Sequence, residues 1–179
     1  RSIMGIKPTI FKANLQIADM DRYYYNDHLI TIAQHPSETD ERMMVRVLAF
    51  ALNANDNLSF AEGITDTNHA DLWDRDHNEH IALWISVGLP DEKLIRKASI
   101  RADKVIIYSY GGRPAEIWWS KLNVADYANL KVINLADEDT KQLAAMFSRG
   151  MKMSFTIQED DVLITNDTTT LNLTLQKLK

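Results

Sequence analysis

The sequence predicts an α/β (α+β) domain built around a mixed central sheet flanked by helices. Three observations carry that expectation. Phe11, Ala13, Leu15 and Ile17 alternate with Lys12, Asn14 and Gln16, the period of a half-buried strand. Residues 37–52 and the stretch from Pro90 have helix-start signals followed by apolar faces. Between and after them, short β-rich runs both follow one another and alternate with helices.

The elements can be justified in order. Residues 23–33 (YYYNDHLITIA) form a second strand, joined to the first by the turn Asp19-Met20-Asp21. Ser37 is the expected N-cap of the first helix, with Asp40 three residues on and Glu38, Asp40 and Glu41 in the first turn, where the helix dipole favours acids. Met44, Val45, Val47, Leu48, Ala51 and Leu52 form its buried side, and Arg42 and Arg46 its wet side. Glu41 lines up with Val45, Leu48 and Leu52. A carboxylate facing the interior must be paired, protonated or metal-bound.

Residues 57–62 (NLSFAE), 71–76 (DLWDRD) and 81–87 (IALWISV) read as three strands, with 77–80 (HNEH) as a hairpin loop between the last two. Pro90 fits the first position of a second helix, with Asp91 and Glu92 beside it. Lys93, Arg96, Lys97 and Arg101 cover one side of that helix, and Leu94, Ile95, Ala98 and Ala102 the other. A strand over 104–110 closes on the turn Gly111-Gly112-Arg113-Pro114. A short helix (115–122), a strand (130–135), a helix (137–148) and strands near 151–158, 161–165 and 170–176 complete the chain.

Composition sets the bounds. The 179 residues suit one domain over 4–179, with residues 1–3 read as an appended remnant before Met4. Apolar content is 45% and charged content 25%, as in ordinary water-soluble domains. Cysteine is absent, which excludes a disulfide framework and thiolate metal sites and fits a reducing, cytoplasmic setting. No apolar run approaches the roughly 18 residues of a membrane span, and no signal-like apolar segment opens the chain, so no membrane role is expected. The net charge of −5 argues against a strong, promiscuous nucleic-acid binder, leaving a local basic groove or a protein partner open.

The order helix, three strands, helix, strand over 37–110 is the αβββαβ kernel shared by the PD-(D/E)XK nuclease superfamily. Three stretches, HPSETDERMMVRVLAFAL (35–52), LWISVGLPDEKLIRKAS (83–99) and EIWWSK (116–121), resemble hallmark stretches of the YaeQ family, a variant of that fold. The likeness runs nearly from Met4 to Lys179. It implies a restriction-endonuclease-like kernel with flanking N- and C-terminal strands.

In the superfamily, acids from a helix and from strands hold one or two Mg²⁺ ions, and a lysine assists the attacking water. By that resemblance Glu41 is the helical acid, and Lys97, at a basic position of the family's helix, takes the place of the assisting lysine; Asp76, on the adjacent strand, fills a ligand role if the register brings it near Glu41. Oxygen ligands suit a hard cation, and two metals can stabilise both oxygens of phosphodiester hydrolysis. The family stretch resembles IDLWIEL, with acids where this chain has Ala82 and Ser86. Those two positions share a strand face, and here neither is a carboxylate. The implied site is therefore degenerate, with Mg²⁺ expected only if neighbouring acids substitute.

Each candidate has a structural counterpart. Glu41 also fits a dipole-favoured helix acid or a partner for Lys97. Asp74 and Asp76 also fit a polar strand end. Lys93, Lys97 and Arg101 recur at i, i+4, i+8, a phosphate- or partner-facing stripe with Arg96 beside it, or a solvated face. His77 and His80 are loop histidines, and Trp118 and Trp119 are expected mainly to pack. No G-x-S-x-G, H-E-x-x-H or G-x-G-x-x-G is present. Two readings result: a Mg²⁺-dependent phosphodiesterase on nucleic acid with a degenerate site, or a non-catalytic module that binds nucleic acid or protein on the same fold.

Overall fold

The computed structural model describes residues 7–61 and 69–179. Met4, the expected start, and Glu62, the expected end of one strand, lie outside them. The order is β1 (Thr9–Asp19), β2 (Tyr24–Gln34), α1 (Asp40–Asn53), β3 (Leu58–Phe60), β4 (Leu72–Arg75), β5 (Ile81–Val87), α2 (Glu92–Arg101), β6 (Ala102–Ser109), α3 (Arg113–Lys121), β7 (Leu130–Asn134), α4 (Asp137–Ala145), β8 (Gly150–Gln158), β9 (Asp161–Thr165), β10 (Thr170–Thr174) and β11 (Gln176–Lys177).

The class is the expected mixture of helix and strand, but the strands divide between two sheets. One has five strands in the order β10-β9-β8-β1-β2, and the other six in the order β11-β7-β6-β5-β4-β3. The flanking strands are present at both ends of the chain, and of them only β11 extends the six-stranded sheet. The others pair with each other, β1 running parallel to β8 from Lys12↔Gly150 to Asp19↔Ile157. Side-chain patterning explains the division. In β1 and β8 buried and exposed residues alternate, so only one face of the five-stranded sheet enters the core. β5 and β6 are mostly buried on both faces, as in a sheet covered on each side.

Helix α1 lies between the sheets. Met43, Met44, Val45, Val47, Leu48, Ala49, Phe50 and Ala51 are buried, packed with Leu15, Ile32 and Phe155 from one sheet and Ile85, Val87 and Ile106 from the other. Trp84, Ile95, Ala98, Val105, Ile107 and Val132 form a second core on the opposite face of the six-stranded sheet, joined there by Trp118 and Trp119. Along β5, therefore, Ile85 and Val87 face α1, whereas Trp84 faces α2.

Helix starts differ from expectation in an instructive way. The cap of α1 is Thr39, whose hydroxyl accepts the Arg42 N–H at 3.0 Å, not Ser37. Ser37 instead meets His35 Nδ1 at 2.7 Å, and the Glu38 N–H closes a turn on the His35 carbonyl. Glu38 is thereby outside the helix and its side chain turns inward. α2 starts at Glu92, capped by Asp91, two residues beyond Pro90. The first turn is pinned by Asp19, whose carboxylate accepts the Asp21 and Arg22 N–H groups. Among the described residues, no helix is long and apolar enough to cross a membrane.

Candidate functional site

In the six-stranded sheet β5, β6 and β7 are parallel, so their carboxyl ends open on one edge, the place where open α/β sheets bind ligands. β6 leads there into Tyr110, Gly111 and Gly112. Gly111 (φ 117°) and Gly112 (φ 68°) adopt backbone that side chains rarely tolerate, and a Cβ on Gly112 would stand 3.4 Å from Asp137 Cβ. This close approach seats the start of α4 against the glycine turn, and Thr140 of α4 reaches Glu41 at the start of α1.

Four charged residues interlock at this end. The buried Glu38 carboxylate accepts from Arg46 Nε at 2.9 Å, from Arg46 Nη2, and from Arg42 Nη1 at 2.8 Å. Arg46 also donates to the Ala33 carbonyl at 2.8 Å. Arg42 Nη2 donates to Asp71 Oδ1 at 2.7 Å, and Asp71 Oδ2 accepts the Val87 N–H at 2.8 Å. Two positive and two negative charges cancel, which is what makes their burial tolerable. Burial works against the Arg42 charge, but Asp71 and Glu38 outweigh it and hold its pKa above the ordinary value. Tyr110 stands beside the cluster, its hydroxyl pKa raised by burial and by Glu41, Glu38 and Asp71 against the opposing pull of Arg42.

Arg46 was expected on the wet face of α1, yet it is only 3% exposed. The second sheet covers that face, and Glu38 supplies the counter-charge. Glu38, Arg42, Arg46, Asp71 and Tyr110 are thus the residues that sequence reading missed. The signal was present: Glu38, Arg42 and Arg46 recur every four residues with alternating need for partners.

Glu41 is half-buried, as its alignment required, but its partner is neither a metal ligand nor Lys97. Thr140 Oγ1 of α4 donates to it at 2.7 Å, and Lys141 Nζ lies 3.2 and 3.3 Å from its two oxygens. That pairing raises the Lys141 pKa.

The remaining candidates lie elsewhere. Asp76 sits in the hairpin at the amino end of β5, where its carboxylate accepts the Asn78 and His80 N–H groups at 2.9 Å. β4 runs from Asp71, at the cluster, away to Asp76; five extended residues at about 3.3 Å each separate the two by roughly 16 Å. Glu41 and Asp76 are therefore not brought together. Ser86 shares the α2-facing side of β5 with Trp84, whose indole N–H donates to its hydroxyl at 3.0 Å. Strand alternation puts Ala82 on that same side. Acids at 82 and 86 would thus have the sheet between them and Glu41.

The basic stripe is on that far side too. Lys93, Arg96, Lys97 and Arg101 ride on α2, which packs through Ile95 and Ala98 into the second core. The Arg101 guanidinium lies 5.3 Å from the Trp84 ring centre. Lys97 belongs to that face, so it does not adjoin Glu41. His80 Nε2 meets Asp103 at 2.8 Å on the surface, and Trp118 donates to the Pro90 carbonyl at 2.6 Å. Among the described residues, no three His, Asp or Glu side chains converge to hold a metal. The described residues do not fit the implied Mg²⁺ site.

Comparison with known proteins gives consistent matches. The family model described as YaeQ protein matches residues 4–175. The YaeQ protein of Escherichia coli (strain K12) is 38% identical over 174 residues, 96% of each chain, and that of Salmonella typhi matches equally over the same share. The crystal structure of YaeQ from Xanthomonas axonopodis pv. citri superposes with TM-score 0.92 at 44% identity, covering 96% of this chain and 98% of that one. The YaeQ structure from Pseudomonas syringae superposes with TM-score 0.91 at 32% identity, covering 96% of each.

Proposed function

The chain belongs to the YaeQ family, and from that premise we propose that it is a non-catalytic binding module on a PD-(D/E)XK nuclease-like fold. The order α1, β3, β4, β5, α2, β6 is the αβββαβ order of that fold and supports the second half of the reading. One observation carries the first half: Glu41, Asp76, the positions of Ala82 and Ser86, and Lys97 are distributed over two faces and two ends of one sheet. A hydrolytic metal needs its oxygen ligands around one point at about 2.0–2.6 Å. Here Glu41 is held by Thr140 and Lys141, and Asp76 by the Asn78 and His80 N–H groups. The competing reading, a Mg²⁺-dependent phosphodiesterase, would require both carboxylates to leave these partners.

The test is cleavage of labelled single- and double-stranded DNA and RNA with Mg²⁺ or Mn²⁺, comparing wild type with Glu41→Ala. The expected result is no cleavage by either protein above a no-enzyme control. Metal-dependent cleavage by the wild type overturns the reading, and its loss in Glu41→Ala would restore Glu41 as a ligand.

A further inference from the structure

In the same sheet lysines line up on a diagonal across three adjacent strands, from the amino end of β6 towards the carboxyl end of β7. Lys104 precedes Ile106 by two residues on β6, Ile106 pairs with Lys131 on β7, and Lys177 on β11 pairs with Ile133, two residues beyond Lys131. Ile106 and Ile133 both belong to the core around α1. By strand alternation all three lysines therefore project from one face. Strand spacing of about 4.8 Å and a rise of about 3.3 Å per residue place successive lysines roughly 8 Å apart on a diagonal.

The row is only partly neutralised. Among the described residues neither Lys104 nor Lys131 makes an ion pair, while Lys177 Nζ lies 3.3 Å from Asp160. Lys131 is half-buried. Burial, with Lys104 and Lys177 close by, lowers its pKa. Like charges held together on a rigid sheet favour an anion, and steps of this length favour a linear one with repeating charges. The net charge of −5 does not cancel this locally, because exposed charges are screened beyond about 8–10 Å.

We propose that Lys104, Lys131 and Lys177 form a docking row for the phosphate backbone of nucleic acid. The proposal rests on the binding-module reading and names the partner and the face. It assigns no role to bases, since lysines on phosphates position a strand without reading it.

The experiment measures binding of a labelled 20-nucleotide single strand by anisotropy from 50 to 200 mM salt. Wild type is compared with the Lys104→Met/Lys131→Met double variant and with Lys12→Met, on the exposed side of β1, as control. Three phosphate contacts at a slope of about −0.7 each give roughly an 18-fold loss of affinity over that range; the double variant should lose under about 3-fold, and Lys12→Met should match wild type. The variants replace exposed or half-buried lysines, and a urea midpoint no lower than that of the wild type verifies folding.

A salt dependence equal in wild type and double variant overturns the proposal, as does absence of binding at 50 mM salt. Binding to anionic phospholipid vesicles but not to the oligonucleotide also overturns it and moves the row to a membrane surface. None of these outcomes touches the non-catalytic reading, which falls only to cleavage.

Discussion

The two ends of the six-stranded sheet treat charge in opposite ways. At the carboxyl end, Glu38, Arg42, Arg46 and Asp71 are mostly buried and every one is matched by a partner of opposite sign. At the amino end, Lys104 and Lys131 are more exposed and share a face with only like charge between them. Buried charge must be neutralised within the fold; exposed charge can be left for something outside it. The carboxyl end has the location of a binding crevice and the chemistry of a structural clamp. The amino end has no fold-level reason to carry its lysines.

The strongest way to break this comparison is Glu38→Ala. It leaves Arg46 and Arg42 buried beside an absent counter-ion, so we expect a loss of about 3–5 kcal/mol in urea unfolding. A loss below about 1 kcal/mol would mean that the cluster is not a clamp. Next is Tyr108, buried between the two ends, with its hydroxyl accepting from Asn53 at 2.8 Å. Burial pushes its pKa up from 10.0 to about 12. A raised phenol contributes stability that is complete below pH 10 and is lost as pH rises towards 12, about 2–3 kcal/mol in all. Tyr108→Phe should flatten that alkaline limb in pH-dependent unfolding, at the cost of the Asn53 contact at neutral pH.

Asp71→Ala removes the outer partner of Arg42 and the acceptor of the Val87 N–H, with an expected cost of about 1–3 kcal/mol. Coupling between this change and Arg42→Met in a double-mutant cycle would sharpen the picture of one closed network. The smallest effect should have the opposite sign. Lys131→Met relieves repulsion from Lys104 and Lys177, so stability should rise slightly, by no more than about 0.5 kcal/mol, and the difference should shrink in high salt. A clear destabilisation would give Lys131 a structural role and remove the contrast between the ends.

Much of the fold was legible because local patterns decide it. The alternation in β1, the apolar run of β5 and the glycine turn after β6 each lie within a few residues of their cause. The assembly into two sheets was not legible, since it depends on β1 finding β8, a pairing that no local period encodes. The candidate site divided in the same way. That Glu41 needs a partner followed from its position on α1; that Thr140 and Lys141 supply it, about a hundred residues later, did not. Arg46 misled because a charged residue on a helix normally faces water. Ala82 and Ser86 failed to meet Glu41 because the face of β5 that α1 covers is set by tertiary packing, and a shift of one residue exchanges the faces; Asp76 failed because it lies at the opposite end of the sheet.

The parallel pairing of β1 with β8 also sets an order in time. β1 and β2 can form their hairpin as soon as they leave the ribosome, since they are adjacent in the chain. The inner face of that hairpin, with Leu15 and Ile32, nevertheless needs α1 and then Phe155 from β8 to leave water. Until residues near 150 emerge, at about 5–20 residues per second, the N-terminal hairpin waits for many seconds with its β8-side edge unpaired. Nascent chains halted before β8 should therefore be the species most in need of chaperone protection.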